Sequence, residues 1–284
     1  MLSVVSRAVT VALASVVALA LAAAVTVALA APTPGAPRIF WANSGLNTIG
    51  RADLNGTRVR PAFIVGVKAP YGVAVSGSHV YWANQGLNSI GEANLDGTGI
   101  RQRFITGAHK PTGVAVSGSH VYWANLGSNT IGQANLDGTD VRERFITGVH
   151  DPYGLAVSGL HAYWADLSMD SLGEANLTGT GIRQRFIAGA QAPFGVAVEG
   201  SHIYWANLGS NTLGRATLAG RQVRQRFIAG ANEPTGVATD ARRIYWANSN
   251  SLARADLAGR SVRQRFITGV NEPFGVAVSG GPTG

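Results

Sequence analysis

Tryptophan recurs in this chain at a fixed interval, and that interval constrains the fold more than any other feature. Each of the six tryptophans follows the previous one by 41 residues, at Trp41, Trp82, Trp123, Trp164, Trp205 and Trp246. A period of about 40–45 residues is typical of propeller blades rather than of the shorter helical repeats. Nothing inside a repeat has the pattern of a helix. The interval therefore predicts a propeller with one blade for each tryptophan.

One copy of the repeat divides into four short strands. GVAVSG (residues 113–118) is small and apolar, as an innermost strand near a crowded axis should be. HVYWAN (120–125) is aromatic and β-branched, while TIGQANL (130–136) and VRERFITG (141–148) alternate polar and apolar residues. Ser-Gly, a Gly/Ser/Asn loop and Asp-Gly mark the turns between them. Four strands in six copies predict an all-β, six-bladed propeller of four-stranded antiparallel blades over residues 37–284.

The two ends of the repeat array predict how the ring closes. The first copy begins at RIFWAN (38–43) with no inner strand before it, and the last copy is followed by a spare GVAVSG (275–280). We therefore expect the C-terminal strand to complete the first blade.

The N-terminal segment differs from the repeats. After one cation, Arg7, an uncharged run of Ala, Val and Leu extends from residue 8 to residue 30 and ends in Ala-Leu-Ala, followed by a Pro-rich spacer at 31–36. This pattern predicts a cleaved signal peptide at residues 1–30, although the run is also long enough for a membrane anchor. We expect a secreted or envelope-associated protein without a membrane span after cleavage. The preference for Arg over Lys is typical of GC-rich, bacterial genomes.

Three motifs recur with the tryptophans. They are Tyr-Trp-x-(Asn/Asp), Ile-Gly-x-Ala-Asn-Leu-Asp-Gly and Pro-x-Gly-Val-Ala-Val. Together they resemble the class B, or YWTD, repeat of low-density lipoprotein receptor propellers over about residues 37–280, with Ala-Asn where that family has Thr-Asp. The resemblance implies a six-bladed propeller that binds other proteins through one face and is not an enzyme.

The predicted channel wall carries no chemistry. The inner strands begin with Gly-(Val/Leu)-Ala-(Val/Thr), and these four positions contain no charge, histidine or amide. Hard cations need several converging oxygens, and acid–base catalysis needs a positioned titratable group. The sequence has no cysteine, which excludes thiolate metal sites and iron–sulfur clusters. We expect no catalytic residue and no cofactor.

Binding residues are instead predicted in the Pro-x-Gly loops between copies, where the repeats differ most. These loops carry aromatic rings and charges of both signs, a mixture suited to protein recognition. The candidate binding residues are Tyr71, Lys110, Asp151, Tyr153, Phe194, Glu233 and Phe274. The alternative is that the rings only cover the channel mouth.

Two further features leave alternatives open. Each outer strand carries arginines, such as Arg101 and Arg103, which either prevent edge-to-edge association or bind a polyanion. Their even distribution around the disc favours the first interpretation. In the fourth copy, Asp166 and Asp170 replace two asparagines and form a candidate metal site without a third ligand.

These observations predict a secreted, non-enzymatic binding or scaffold module. Its expected partner is an extracellular protein or an envelope polymer, nucleic acid is not expected, and the protein is expected to be a monomer. The alternative is a propeller enzyme of the lactonase or streptogramin-lyase kind.

Overall fold

Twenty-four strands in residues 36–280 form six sheets, and each sheet is one blade of a propeller. The computed structural model describes residues 36–280; the predicted signal peptide and most of the spacer lie outside this range. Each sheet has four antiparallel strands that follow one another outward from the axis. The six-bladed, four-stranded architecture predicted from the 41-residue interval is confirmed.

The strands are numbered in chain order, and within each blade they run from the axis outward. Blade 1 contains β24 (Pro273–Val278), β1 (Arg38–Asn43), β2 (Thr48–Asp53) and β3 (Arg60–Ile64). Blade 2 contains β4 (Pro70–Ser76), β5 (His79–Asn84), β6 (Ser89–Asn94) and β7 (Arg101–Thr106). Blade 3 contains β8 (Pro111–Ser117), β9 (His120–Asn125), β10 (Thr130–Asn135) and β11 (Arg142–Thr147).

The second half of the ring repeats this order. Blade 4 contains β12 (Pro152–Ser158), β13 (His161–Asp166), β14 (Ser171–Asn176) and β15 (Arg183–Ala188). Blade 5 contains β16 (Pro193–Glu199), β17 (His202–Asn207), β18 (Thr212–Thr217) and β19 (Arg224–Ala229). Blade 6 contains β20 (Val237–Thr239), β21 (Arg243–Asn248), β22 (Ser251–Asp256) and β23 (Arg263–Thr268). Two short 3₁₀ helices, Gln85–Leu87 and Leu208–Ser210, follow β5 and β17.

The core lies between neighbouring blades. Each of six hydrophobic clusters joins the tryptophan of one blade to the tyrosine or phenylalanine of the blade before it, as Trp123 packs with Tyr81 and Ile90. All six tryptophans are completely buried. A buried aromatic ring removes about 150–250 Å² from water, which corresponds to about 4–6 kcal/mol of transfer free energy. The repeated tryptophan therefore fastens each blade to its neighbour.

The ring closes as the two ends of the sequence predicted. β24 pairs antiparallel with β1, with Val276 opposite Trp41 and Val278 opposite Ile39. Val276 also belongs to the cluster between blades 6 and 1. One blade is thus built from both ends of the described chain, which locks the ring without a disulfide. No helix within residues 36–280 is long and apolar enough to cross a bilayer.

Removal of the closing strand should open the ring. We expect a chain truncated after residue 272 to lose more than about 4 kcal/mol of unfolding free energy, since β1 would expose buried apolar side chains and an unpaired edge. The milder change Val276→Ala should cost about 1–2 kcal/mol. Denaturant unfolding followed by tryptophan fluorescence measures both. Equal stability of the truncated and full chains would contradict this closure.

Candidate functional site

The side of the disc where the inner strands begin carries the predicted binding residues. In five blades the inner strand starts at the proline itself, so the residue after it is the second residue of a strand and not part of a loop. Tyr71, Tyr153, Phe194 and Phe274 occupy this position in blades 2, 4, 5 and 1. All four side chains line one small space on the propeller axis, and we call them the aromatic mouth.

The rings of the aromatic mouth contact one another. Tyr71 stacks on Phe274 with centroids 4.6 Å apart, and Tyr153 lies 4.8 Å from Phe194. Phe194 and Phe274 approach to 5.5 Å and join the two pairs. The rings are half-buried, so one surface packs and another faces solvent. Burial raises the pKa of Tyr71 and of Tyr153 further above the ordinary value of a phenol.

Threonine replaces the ring in the two remaining blades. The hydroxyl of Thr112 donates to the carbonyl oxygen of Pro152 at 2.9 Å, and that of Thr235 donates to the carbonyl oxygen of Pro273 at 2.8 Å. Both threonines are buried. These bonds link an inner strand to the next blade, and they leave room beside the aromatic pairs. Threonine at these two positions is visible in the sequence, but the hydrogen bonds of its hydroxyl group to the next blade are not.

The axis below the mouth is closed. A Cβ atom on any of six glycines, which lie in an inner strand or directly before it, would be 2.0–2.4 Å from a backbone carbonyl oxygen of the neighbouring blade; they are Gly72, Gly113, Gly154, Gly195, Gly236 and Gly275. The spaces beside these glycines measure about 40 and 50 Å³, and a third space, among the ends of β8, β12 and β16, measures about 180 Å³. Ligand pockets usually enclose about 300–1,000 Å³. A ligand of that size has to bind on a face of the disc and not inside it.

Charged side chains lie around the mouth at the residue that precedes the proline in four of the six blades. Lys110, Asp151 and Glu233 hold this position, each with a left-handed backbone (φ 48°, 36° and 50°). Their amide groups donate to the side-chain oxygens of Asn88, Asn129 and Asn211 at 2.8–3.1 Å. Because the asparagine fixes the backbone, the side chain at this position can vary without changing the turn. Lys110 and Glu233 are exposed, and Asp151 is half-buried.

A groove of about 500 Å³ lies beside the rings, lined by Glu233, Glu272, Phe274 and Asn211 among others. Both glutamates are exposed. Lys68 and Lys110 belong to the turns that enter blades 2 and 3, so cations flank another part of the same face. The face thus combines an aromatic centre with a carboxylate side and an ammonium side.

Asp166 and Asp170 have structural contacts instead of converging as metal ligands. Asp170 Oδ1 accepts the amide of Ala192 at 2.8 Å, as asparagine does at this position in neighbouring blades. Asp166 Oδ1 accepts the amide of Met169 at 3.0 Å and lies 3.6 Å from His150 Nδ1. Within residues 36–280 no group of three His, Asp or Glu side chains could hold a metal ion.

Ser168, His150 and Asp166 form a cluster, but its geometry is not that of a nucleophile relay. Ser168 Oγ lies 3.0 Å from His150 Nδ1, the same ring nitrogen that faces Asp166. In a serine relay, the histidine contacts the serine and the carboxylate through different ring nitrogens. The cluster therefore does not provide an activated serine.

Replacement of Asp166 by asparagine should stabilise the protein. Asparagine at this position elsewhere donates to an outer-strand carbonyl, as Asn125 does to Glu143 at 3.0 Å, whereas Asp166 Oδ2 is buried without a partner. Burial raises the pKa of Asp166, so the native state disfavours the ionised form and loses stability as pH rises from the unfolded-state pKa through the native one. We expect Asp166→Asn to add about 1–2 kcal/mol at pH 7 and less at pH 4.

Asp170→Asn is the matched control, since Asp170 is exposed and already accepts the bond that asparagine would accept. Its effect should stay within about 0.5 kcal/mol. Denaturant unfolding at both pH values compares the two. A loss of stability in Asp166→Asn at pH 7 would contradict this role of the amide.

Comparison with known proteins places this geometry among propellers. Residues 37–75 match the family model "Low-density lipoprotein receptor repeat class B". A propeller from the crystal structure of a nidogen/laminin complex has a TM-score of 0.72 and 21% identity, and the match covers 86% of this chain and 98% of that one. The comparison with curated protein sequences returned no match.

Two enzymes share the fold. Virginiamycin B lyase from Staphylococcus aureus has a TM-score of 0.57 at 20% identity, with 77% of this chain and 79% of that chain covered. A gluconolactonase from Xanthomonas campestris has a TM-score of 0.61 at 15% identity, with 72% and 78% covered. At these identities the likeness concerns the fold alone. The chain is a six-bladed propeller in which residues 37–75 match the low-density lipoprotein receptor class B repeat.

Proposed function

We propose that this chain is an exported, non-enzymatic module that binds a protein through the aromatic mouth and the charges around it. The proposal rests above all on the four half-buried rings that meet at the centre of one face. Rigid aromatic groups at the centre of a surface, with charged groups at its edge, are typical of binding hot spots. Export is inferred from residues 1–30, which lie outside the described range, and class B repeat domains are often extracellular.

Charge and shape indicate what the partner should present. The rings offer an apolar surface, and the groove beside Glu233, Glu272 and Phe274 has room for a cationic side chain. Lys68 and Lys110 would pair with an acidic group on the partner. A folded protein surface can present an apolar centre and both charges in a fixed arrangement, which favours a protein over a uniformly charged envelope polymer. The nidogen propeller, crystallised in a nidogen/laminin complex, is consistent with such a role for the fold.

The alternative is an enzyme, because a lyase and a lactonase have the same architecture. A lactonase-like mechanism would need a substrate pocket with converging polar groups. The spaces beside the six glycines measure about 40 and 50 Å³, and a space of about 180 Å³ among the ends of β8, β12 and β16 has no charged residue or histidine in its described lining. Two larger grooves lie off the axis: the groove near Glu233 has no histidine in its described lining, and in the groove near His79 the carboxylate of Glu92 is held in an ion pair with Arg101. These observations support binding over catalysis.

The test replaces the rings by the residue that the chain itself uses at this position. Tyr71→Thr, Tyr153→Thr, Phe194→Thr and Phe274→Thr copy Thr112 and Thr235, so the blades should still form. The immobilised chain captures proteins from the envelope fraction of the producing cells, and captured proteins are then measured individually for affinity. We expect the fourfold variant to bind a captured partner about tenfold more weakly or worse, since hot-spot truncations cost about 2 kcal/mol or more.

Leu160→Ala is the control, because Leu160 is an exposed apolar residue in the turn between β12 and β13, on the opposite face. It should bind every partner as the wild type does. Equal affinity of the fourfold variant and the wild type would contradict the proposal. Catalysed ring opening of gluconolactone or of a streptogramin by the purified chain would favour the enzyme instead.

A further inference from the structure

The first arginine of each outer strand faces glutamate, glutamine or arginine, depending on the blade. Its partner is the residue of the third strand that lies opposite it in the strand register. The six pairs, from blade 1 to blade 6, are Arg51–Arg60, Glu92–Arg101, Gln133–Arg142, Glu174–Arg183, Arg215–Arg224 and Arg254–Arg263. Like charges thus face each other in blades 5, 6 and 1. These blades are consecutive in the closed ring, and we call the six arginines of their pairs the basic sector.

The remaining blades neutralise the same arginine. Glu92 forms an ion pair with Arg101, and Glu174 forms one with Arg183. In blade 3, Arg142 is paired with Asp140 at 2.9 Å. Within residues 36–280, Arg60, Arg224 and Arg263 have no such ion pair, although all three are exposed. The outer-strand arginines are evenly spaced, but their counter-charges are not.

The third-strand arginines of the sector are held in fixed positions. The guanidinium groups of Arg51, Arg215 and Arg254 lie 4.2, 4.4 and 3.9 Å from the centres of phenylalanine rings in their own blades. Each also donates to a leucine carbonyl of the next blade, at 3.2, 3.5 and 3.2 Å. These contacts bind the three blades into one surface, and they leave the neighbouring outer-strand guanidinium free for a ligand.

The positive charges in this surface are close enough to repel one another. Burial lowers the pKa of Arg254, and the neighbouring Arg243 and Arg263 lower it further, against the opposing effects of Tyr245 and Asp240. Blades 6 and 1 begin their second strand with Arg243 and Arg38, where blades 2 to 5 have histidine. Arg38 is only 8% exposed, and its Nε has no hydrogen-bond partner. The guanidinium of Arg38 also donates to the carbonyl oxygen of Leu95 at 3.3 Å, so an incoming anion would bind at the exposed outer-strand arginines and not at Arg38.

Protection of the sheet edge does not account for this arrangement. One charge on each outer strand is enough to discourage edge-to-edge pairing, and all six blades have at least one. In blades 5, 6 and 1, arginine in place of an acidic partner adds repulsion between guanidinium groups and gives the sheet edge no further protection. The planar guanidinium fork matches the oxygens of phosphate. The geometry points to a ligand that carries several phosphates along its length.

We propose that the basic sector binds the phosphate groups of a linear polyanion that runs across the outer edges of blades 5, 6 and 1. The phenylalanine rings Phe63, Phe227 and Phe266 lie under guanidinium groups, so they are not free to stack with nucleic-acid bases. Phosphate is therefore the recognised group. The pairs Arg51–Arg60 and Arg254–Arg263 lie toward the side of the disc where inner strands end, opposite the aromatic mouth. This site is independent of the proposed protein partner.

The test uses long-chain inorganic polyphosphate and the full chain. In Arg224→Glu combined with Arg263→Glu, each new carboxylate faces Arg215 or Arg254 and forms the mirror image of the Glu174–Arg183 pair. We expect wild-type affinity to fall with salt, and the double variant to bind about tenfold more weakly with a salt slope shallower by about two. If the charge reversal impairs folding, Arg224→Gln combined with Arg263→Gln should still weaken polyphosphate binding.

Arg144→Glu combined with Arg185→Glu is the matched control, with the same change of net charge in blades 3 and 4. Its affinity should stay within about threefold of the wild type. Equal weakening of both double variants would show that only the overall charge matters and would overturn the sector. Absence of wild-type binding at low salt, or tighter binding of single-stranded DNA than of polyphosphate with equal charge, would also overturn the proposal.

Discussion

The close approach of six inner strands at the axis is the constraint on which the rest of the molecule depends. Each strand brings a glycine against the backbone of the next strand, and a Cβ atom there would lie 2.0–2.4 Å from a carbonyl oxygen. Only an inner strand without a side chain at this point allows six blades to meet. The same contact closes the axis and brings together the aromatic rings of the residues that precede the glycines. It therefore restricts a ligand to the faces of the disc.

Most of the fold could be predicted from the sequence because every blade solves the same packing problem. Trp123 and its five counterparts lie between blades, and a fixed interval between such residues leaves few architectures possible. The spare GVAVSG at residues 275–280 indicated the partner of β1 in the same way. The prediction that Tyr71 and its counterparts lie in loops was wrong. The inner strand begins at the proline, so Tyr71 is its second residue.

The candidate sites were harder to predict, because each depends on which blades are neighbours. The sequence marked Tyr71, Tyr153, Phe194 and Phe274 as variable positions, but stacking of Tyr71 on Phe274 follows only from ring closure. Asp170 resembled a metal ligand until its bond to the amide of Ala192 identified it as a substitute for asparagine. Arg51, Arg215 and Arg254 occupy one repeated position in the sequence. The outer-strand arginines are distributed evenly over the blades, so they do not by themselves indicate the basic sector.

Repeated and variable residues have different roles in this chain. Residues that are the same in every blade hold the ring, while single positions that differ create two distinct surfaces, one aromatic and one basic. Both surfaces presuppose a closed axis, and the unfolding free energy of Gly154→Ala tests this most directly. The added Cβ would lie 2.3 Å from the carbonyl oxygen of Phe194, so we predict a loss of about 3 kcal/mol. Gly118→Ala, with φ 56° and open space around it, should lose only about 1 kcal/mol, and equal losses in the two variants would contradict the closed axis.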